Sequence, residues 1–134
     1  MVDRPTIGVL TPLIGGFYYA NILSGVQRTA RRRGARVVAF QTSGMDMVWP
    51  EEQGTLPLAW DRIDGFLGIN NHEGRAYYDR VLEAGKPLVT LSARMERGPA
   101  TAVLPENFEG TVEAVRHLLK HGHRKIGFAR IVPA

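Results

Sequence analysis

Residues 6–41, TIGVLTPLIGGFYYANILSGVQRTARRRGARVVAFQ, decide the fold because two short apolar runs flank one long amphipathic segment. The runs at 6–10 and 35–41 are rich in β-branched residues and predict buried strands. The segment between them predicts a helix with a C-cap at Gly34, since apolar side chains recur at helical spacing. These are Tyr19, Ile22, Leu23, Val26 and Ala30. Such a strand–helix–strand unit predicts two parallel strands joined by a crossover.

The remainder of the chain repeats this alternation of strands and helices. Further strands are predicted at residues 63–69, 87–91, 101–104 and 125–129. Helices are predicted at about 73–84 and from an N-cap at Asn107, and a short helix at 56–62 follows a long loop. The pattern predicts an α/β fold, a doubly wound, mainly parallel sheet with helices on both faces.

Composition excludes several classes of function. The chain has no Cys, which excludes disulfides, thiolate catalysis and zinc–cysteine sites. Its apolar runs are far too short to span a membrane, and the first residues lack a signal-peptide pattern, so we expect a cytoplasmic protein without a membrane partner. The net charge of +4 is concentrated at Arg28 and 31–33. Cations in a last helical turn complement the helix dipole, and this role is favoured over contacts with phosphate.

The residues after the predicted strands exclude three nucleotide-binding or signalling classes. Residues 11–18, TPLIGGFY, lack the Gly-x-Gly-x-x-Gly of dinucleotide-binding folds, and no Gly-Lys-Ser/Thr of a P-loop occurs in the chain. Strands one and three end at Leu10-Thr11 and Ile69-Asn70, without the acids of a phosphoacceptor receiver. The strand ends therefore favour binding of another kind of ligand.

Amide, hydroxyl, aromatic and arginine side chains follow the strands instead. Because ligands of doubly wound sheets bind at the carboxyl ends of strands, these residues form the candidate ligand site. They are Thr11, Phe17, Tyr18, Asn70, His72, Ser92 and Arg94. Aromatic faces cover C–H surfaces while amides and guanidinium bind hydroxyls, so the set predicts a small polar ligand such as a sugar or nucleoside.

The same segments resemble the effector-binding domains of lac/gal repressors (LacI/GalR type). The resemblance covers the opening strand and helix, then IDGFL at 63–67, GKPLV at 85–89, and VLPENFEG at 103–110 followed by AVRHLL and GHRKIGF. It implies a two-lobed, periplasmic-binding-protein-like type I fold. Residues 1–105 are expected to form the first lobe and residues 106–134 a truncated start of the second.

The resemblance also implies a function. The family's domains are non-enzymatic sensors of small polar effectors, usually homodimeric, which reach DNA only through a headpiece that is absent from this chain. It implies no cofactor or metal, and it adds Asn107 to the ligand-binding residues. The family usually has Asp where this chain has Glu106, which leaves the role of position 106 open.

Three alternatives stay open. The loop at 11–19 and the Phe-Gln-Thr at 40–42 look closer to sensor domains fused to diguanylate cyclases or kinases than to those fused to a helix-turn-helix. A small α/β hydrolase would use His72 with Ser92, since acid–base pairs sit at such strand ends. A stand-alone module would pair with a second copy through exposed apolar surface. His121 and His123 flank a helix-ending glycine and favour a structural role over a metal site.

Overall fold

The computed structural model describes residues 4–42, 59–70, 75–92, 94–95 and 98–129. Strands and helices alternate as the sequence predicts. The elements are β1 (Thr6–Thr11), α1 (Phe17–Arg32), β2 (Arg36–Gln41), a single 3-10 turn (Trp60–Arg62), β3 (Gly65–Ile69), α2 (Arg75–Glu83), β4 (Leu88–Leu91), β5 (Thr101–Val103) and α3 (Asn107–Lys120). The five strands form one sheet in the order β2-β1-β3-β4-β5, and every pairing is parallel. The predicted α/β class is confirmed.

The chain divides into two compact units, Met1–Leu104 and Pro105–Ala134. The first contains the whole sheet, and the second contains α3 and the residues after it. The division lies next to the boundary expected at residue 105, while the assignment of the two units to lobes stays a prediction. None of the described helices is long and apolar enough to cross a membrane.

Helices cover both faces of the sheet because the strands alternate apolar side chains between the faces. On one face, Leu23 of α1 packs with Val9 and Ile69. On the other face, Val81 of α2 packs in a cluster that includes Leu10. Val9, Leu10, Ile69 and Val81 are all fully buried. The central strands β1 and β3 therefore supply apolar residues to two separate cores, as a doubly wound sheet requires.

Glycine ends α1 as predicted. Gly34 has a φ of 73°, a left-handed conformation that costs a residue with a Cβ more than it costs glycine. The N–H of Ala35 donates to the carbonyl of Ala30 at 2.9 Å, and the N–H of Gly34 donates to that of Arg31 at 3.2 Å. This is the Schellman pattern, and α2 and α3 end with the same two bonds. The turn brings the start of β2 directly beside the end of α1.

The structure corrects two predicted elements. Residues 125–129 form no strand, because a strand requires a hydrogen-bonded neighbour and no described strand lies beside them. Asn107 is not an N-cap: Glu106 occupies that position, its carbonyl accepts the first helical bond from Gly110, and no side chain caps the N-terminus of the helix. The short helix predicted at 56–62 is a 3-10 turn at Trp60–Arg62, and residues 56–58 lie outside the described residues.

The second unit is almost entirely exposed. No described residue of α3 is buried, and apolar side chains at helical spacing along it, including Phe108, Val115 and Leu119, are open to solvent. Helices of this amphipathic kind gain stability chiefly by packing their apolar face. The first unit therefore contains the described hydrophobic core.

Candidate functional site

Strand order reverses between β1 and β3. The chain passes from β1 outward to β2 and then returns across β1 to β3, so the carboxyl ends of β1 and β3 lie on either side of this switch. Doubly wound sheets bind their ligands outside the carboxyl ends of the strands at such a point. Seven of the eight predicted ligand residues, from Thr11 to Arg94, are the last residue of β1 or follow β1, β3 or β4 in the chain.

The backbone turns sharply where β3 and β4 end. Asn70 has a φ of 43° and Ser92 a φ of 63°, and they are the two non-glycine residues with positive φ in the described part of the chain. The Asn70 N–H donates to the Leu91 carbonyl at 3.0 Å, and the Ser92 N–H donates to the Val103 carbonyl at 2.9 Å. Each residue is thus tied to the neighbouring strand while it holds a left-handed conformation. Strained backbone of this kind clusters at functional sites.

Two side chains from separate segments meet at this edge. Tyr18, in the first turn of α1, has its Oη 3.2 Å from the Oγ of Ser92, which follows β4. Because β3 lies between β1 and β4, this contact connects the segments on both sides of the β3 end. The Tyr18 ring is 50% exposed and stands edge-on to the ring of Tyr19, with the ring centres 5.1 Å apart. The two hydroxyls and the phenol ring face solvent.

Threonines support this edge from below. Thr11 is fully buried, and its Oγ1 donates to the Leu13 carbonyl at 2.9 Å. The Thr11 carbonyl accepts the N–H of Thr42 at 2.8 Å, which extends the pairing of β1 with β2. Thr11 therefore shapes the loop that leads to Tyr18, and its hydroxyl is already used inside the chain. Sequence reasoning missed Thr42, a buried residue whose Oγ1 has no hydrogen-bond partner among the described residues.

The other predicted residues differ in position. Phe17 is 91% exposed at the start of α1, and Arg94 is exposed after β4. Asn107 is exposed in the second unit. His72 lies outside the described residues. The structure therefore brings together Tyr18 and Ser92, holds Asn70 beside them through the β3–β4 pairing, and leaves the ligand roles of all eight residues as predictions.

The edge offers hydrogen bonds and an aromatic face. In the described part of the chain, the partner of Ser92 Oγ is a phenol and not an imidazole or carboxylate, which are the usual bases that activate a serine. No three His, Asp or Glu side chains of the described residues lie close enough to hold a metal ion. Hydroxyl, amide and guanidinium groups around aromatic rings are suited to orienting a polar ligand.

Comparisons with known proteins agree with this reading of the fold. No protein-family model matches the chain. It is 26% identical over 128 residues to the arabinose metabolism transcriptional repressor of Geobacillus stearothermophilus, covering 93% of this chain and 35% of the repressor. It is 24% identical over 141 residues to the NTD biosynthesis operon regulator NtdR of Bacillus subtilis (strain 168), covering 96% of this chain and 38% of that regulator. The chain thus spans well under half the length of both relatives.

Two solved structures of LacI regulators are similar to most of this chain. A LacI-family transcriptional regulator from Sanguibacter keddieii superposes with a TM-score of 0.63 at 25% identity, over 89% of this chain and 39% of the other. A LacI regulator from Lactobacillus casei, solved with bound Tris, superposes with a TM-score of 0.61 at 25% identity, over 89% and 42%. Together with the parallel sheet and its order, these matches show that the chain is similar to LacI/GalR-type effector-binding domains and has their periplasmic-binding-protein-like fold.

Proposed function

We propose that the chain supplies the first-lobe side of an effector-binding cleft in a transcriptional regulator, and that its effector is a small polar molecule such as a sugar or nucleoside. The observation that carries this proposal is the contact between the Tyr18 and Ser92 hydroxyls at the carboxyl edge. Two hydroxyls that pair with each other at 3.2 Å and also face solvent are poised to exchange that bond for bonds to a ligand hydroxyl.

The flanking groups fit the same ligand class. Phe17 and Tyr18 present exposed rings that can cover the C–H surface of a sugar or nucleoside, as aromatic side chains do in polar-ligand sites. Asn70 offers an amide beside the β3 end, and Arg94 offers a guanidinium after β4. Thr11 is assigned the supporting role that its buried hydroxyl implies. His72 and Asn107 stay candidate contacts.

Two relatives support this ligand class. One regulates arabinose metabolism, and a similar LacI regulator was solved with Tris, a small molecule that carries several hydroxyls. Both are regulators of transcription or are described as LacI regulators, which favours a DNA-binding output over a diguanylate cyclase or kinase. A homodimer in the cytoplasm is the assembly that we expect.

The proposed action is that of a sensor without chemistry. An effector that binds one conformation of a two-lobed domain more tightly shifts the population towards it, by no more than its difference in affinity. The edge supplies orientation and hydrogen bonds for this, and it requires no proton transfer. The alternative hydrolase would instead depend on His72 acting on Ser92.

The test is ligand-dependent thermal unfolding of the protein at its full natural length, with a panel of pentoses, hexoses and nucleosides. A ligand at one hundred times its Kd stabilises the folded state by about 2.7 kcal/mol, which is a readily measured shift. Absence of a shift with every member of the panel would count against the proposal. Hydrolysis of any panel member that is lost in His72→Ala would favour the hydrolase.

Single substitutions test whether the effector binds at Tyr18 and Ser92. Tyr18→Phe and Ser92→Ala each remove one hydroxyl and are expected to weaken the effector roughly 2- to 12-fold, because one hydrogen bond contributes about 0.5–1.5 kcal/mol net. Ser24→Ala is the matched control, since it removes an exposed hydroxyl from α1 away from the edge. Equal affinities for all three variants would show that the effector binds elsewhere.

A further inference from the structure

Two histidines one turn apart lie at the end of α3. His117 and His121 are four residues apart, and the centres of their imidazole rings are 4.3 Å apart with the ring planes inclined by 36°. Both side chains are exposed. Residues at this spacing share one side of a helix, so the two rings lie one above the other along α3. We call them the histidine pair.

The histidine pair lies on the polar side of α3. The apolar residues Phe108, Val115 and Leu119 recur at spacings of seven and four residues, which places them together on the other side of the helix. His117 is two residues from both Val115 and Leu119, and at about 100° per residue it points away from them. Packing of the apolar side of α3 therefore leaves the histidine pair accessible.

A hydrogen bond of His121 determines which of its ring nitrogens is free. His121 Nδ1 lies 2.9 Å from the carbonyl oxygen of His117. A carbonyl oxygen only accepts, so Nδ1 carries the proton, and Nε2 of the neutral ring then has a free lone pair. Histidine ligands of metal ions commonly have this arrangement, in which the bond from one nitrogen orients the other. The same bond also caps a carbonyl at the helix C-terminus, and this capping leaves Nε2 unused.

The spacing of the two rings suits a shared metal ion. An imidazole nitrogen binds Zn²⁺ at about 2.0–2.1 Å, so two rings on one ion have centres roughly 4.5–5 Å apart. The observed 4.3 Å therefore requires only a small rotation of the side chains. The pair also lies at the C-terminus of α3, where the partial negative charge of the helix dipole favours a cation. No third His, Asp or Glu in the described part of the chain completes a metal site, so water would fill the other coordination positions.

We propose that the histidine pair binds a divalent transition-metal ion that prefers imidazole ligands, such as Zn²⁺, Ni²⁺ or Cu²⁺, through Nε2 of His121 and a ring nitrogen of His117. Hard cations such as Mg²⁺ should not bind, because they prefer oxygen ligands. The sequence draws attention to His121 and His123, which flank Gly122, whereas the helix brings His121 beside His117. The site depends on α3 alone and is independent of the proposed effector.

The test is isothermal titration calorimetry of the 134-residue chain with the chlorides of Ni²⁺, Cu²⁺, Zn²⁺ and Mg²⁺. We expect one transition-metal ion to bind per chain, with the highest affinity for Cu²⁺, and no binding of Mg²⁺. His117→Ala and His121→Ala should each lower the affinity for Ni²⁺ at least about tenfold, since loss of a group that merely orients a metal ligand already costs about 10–100-fold.

The matched control is His123→Ala, which removes another exposed imidazole from the same unit and leaves the histidine pair intact. We expect this control to bind Ni²⁺ with unchanged affinity. Equal losses in His123→Ala and His121→Ala, or no binding of Ni²⁺ by the unaltered chain, would overturn the proposal. An unchanged affinity in His117→Ala would also overturn it, because a single histidine would then account for the binding. Equal far-ultraviolet circular dichroism confirms that the variants fold.

Discussion

The two edges of this sheet are built from the same strands and differ in what holds them. At the carboxyl edge, Asn70 and Ser92 are kept in left-handed conformations and Thr11 is buried beneath them. At the amino edge, where β1 and β2 begin, Arg31 and Arg32 at the end of α1 are exposed and have ordinary backbone conformations. The backbone conformation of the carboxyl edge therefore depends on the packing below it. The electrostatic character of the amino edge depends on the number of exposed charges. Substitutions in the core should therefore affect the carboxyl edge, and changes in salt concentration should affect the amino edge.

The largest expected effect comes from packing beneath the carboxyl edge. A Cβ added to Gly68 would lie 2.5 Å from Cζ of Tyr78, a ring buried between α2 and the sheet. Gly68→Ala should lower the free energy of unfolding by about 1–3 kcal/mol, the usual cost of overpacking a core. Urea unfolding followed by circular dichroism measures the loss.

A second glycine gives the matched control for this prediction. Gly25 lies within α1, and a Cβ added there meets nothing within 4 Å. Gly25→Ala should stabilise the protein by about 0.5–1 kcal/mol, because alanine loses less backbone entropy in a helix. If Gly68→Ala and Gly25→Ala were equally stable, the close packing of Tyr78 against Gly68 would not contribute to the stability of this edge.

An intermediate effect should appear at Ser92. Ser92→Gly and Ser92→Ala both remove the hydroxyl, but only glycine adopts a φ of 63° without a steric cost. The free energy of unfolding should therefore be about 1 kcal/mol larger for Ser92→Gly than for Ser92→Ala, so the glycine variant is the more stable. Both should lose the same affinity for an effector. A more stable alanine variant would show that the left-handed turn carries no strain.

The smallest effect on stability is expected at the amino edge. Arg31→Gln combined with Arg32→Gln should change the free energy of unfolding by less than about 0.5 kcal/mol, since the lost dipole interaction is offset by relief of repulsion among like charges. Urea unfolding at 50 and 500 mM salt measures it. A loss above about 1.5 kcal/mol would mean that these arginines stabilise the fold, which would contradict the proposed difference between the two edges.

The fold was largely predictable from the sequence. The apolar runs at β1, β2, β3 and β4 and the helical spacing in α1 depend on periodicity, which is a local property. The strand predicted at 125–129 was wrong because KIGFA has strand composition, yet pairing depends on a neighbour that composition does not specify. The cap at α3 differed by one residue, which is within the usual uncertainty of helix ends.

The residues of the candidate site could be predicted from the sequence, but the contacts between them could not. The rule that ligands bind at strand ends selected Tyr18 and Ser92 separately. Their contact depends on the order β1-β3-β4, which no local pattern encodes. The left-handed turn at Asn70 agrees with the known tolerance of asparagine for that conformation, whereas serine gives no such signal.

The central position of β1 has a consequence for synthesis of the chain. β1 pairs with β2 on one side, only a helix away in sequence, and with β3 on the other, where Thr6 and Asp64 are 58 residues apart. At a translation rate of about 5–20 residues per second, β3 emerges from the ribosome roughly 1–5 s after β2. During that interval the nascent β1–α1–β2 unit presents an unpaired β1 edge. The first seconds after β2 emerges are therefore the period in which a chaperone would matter most.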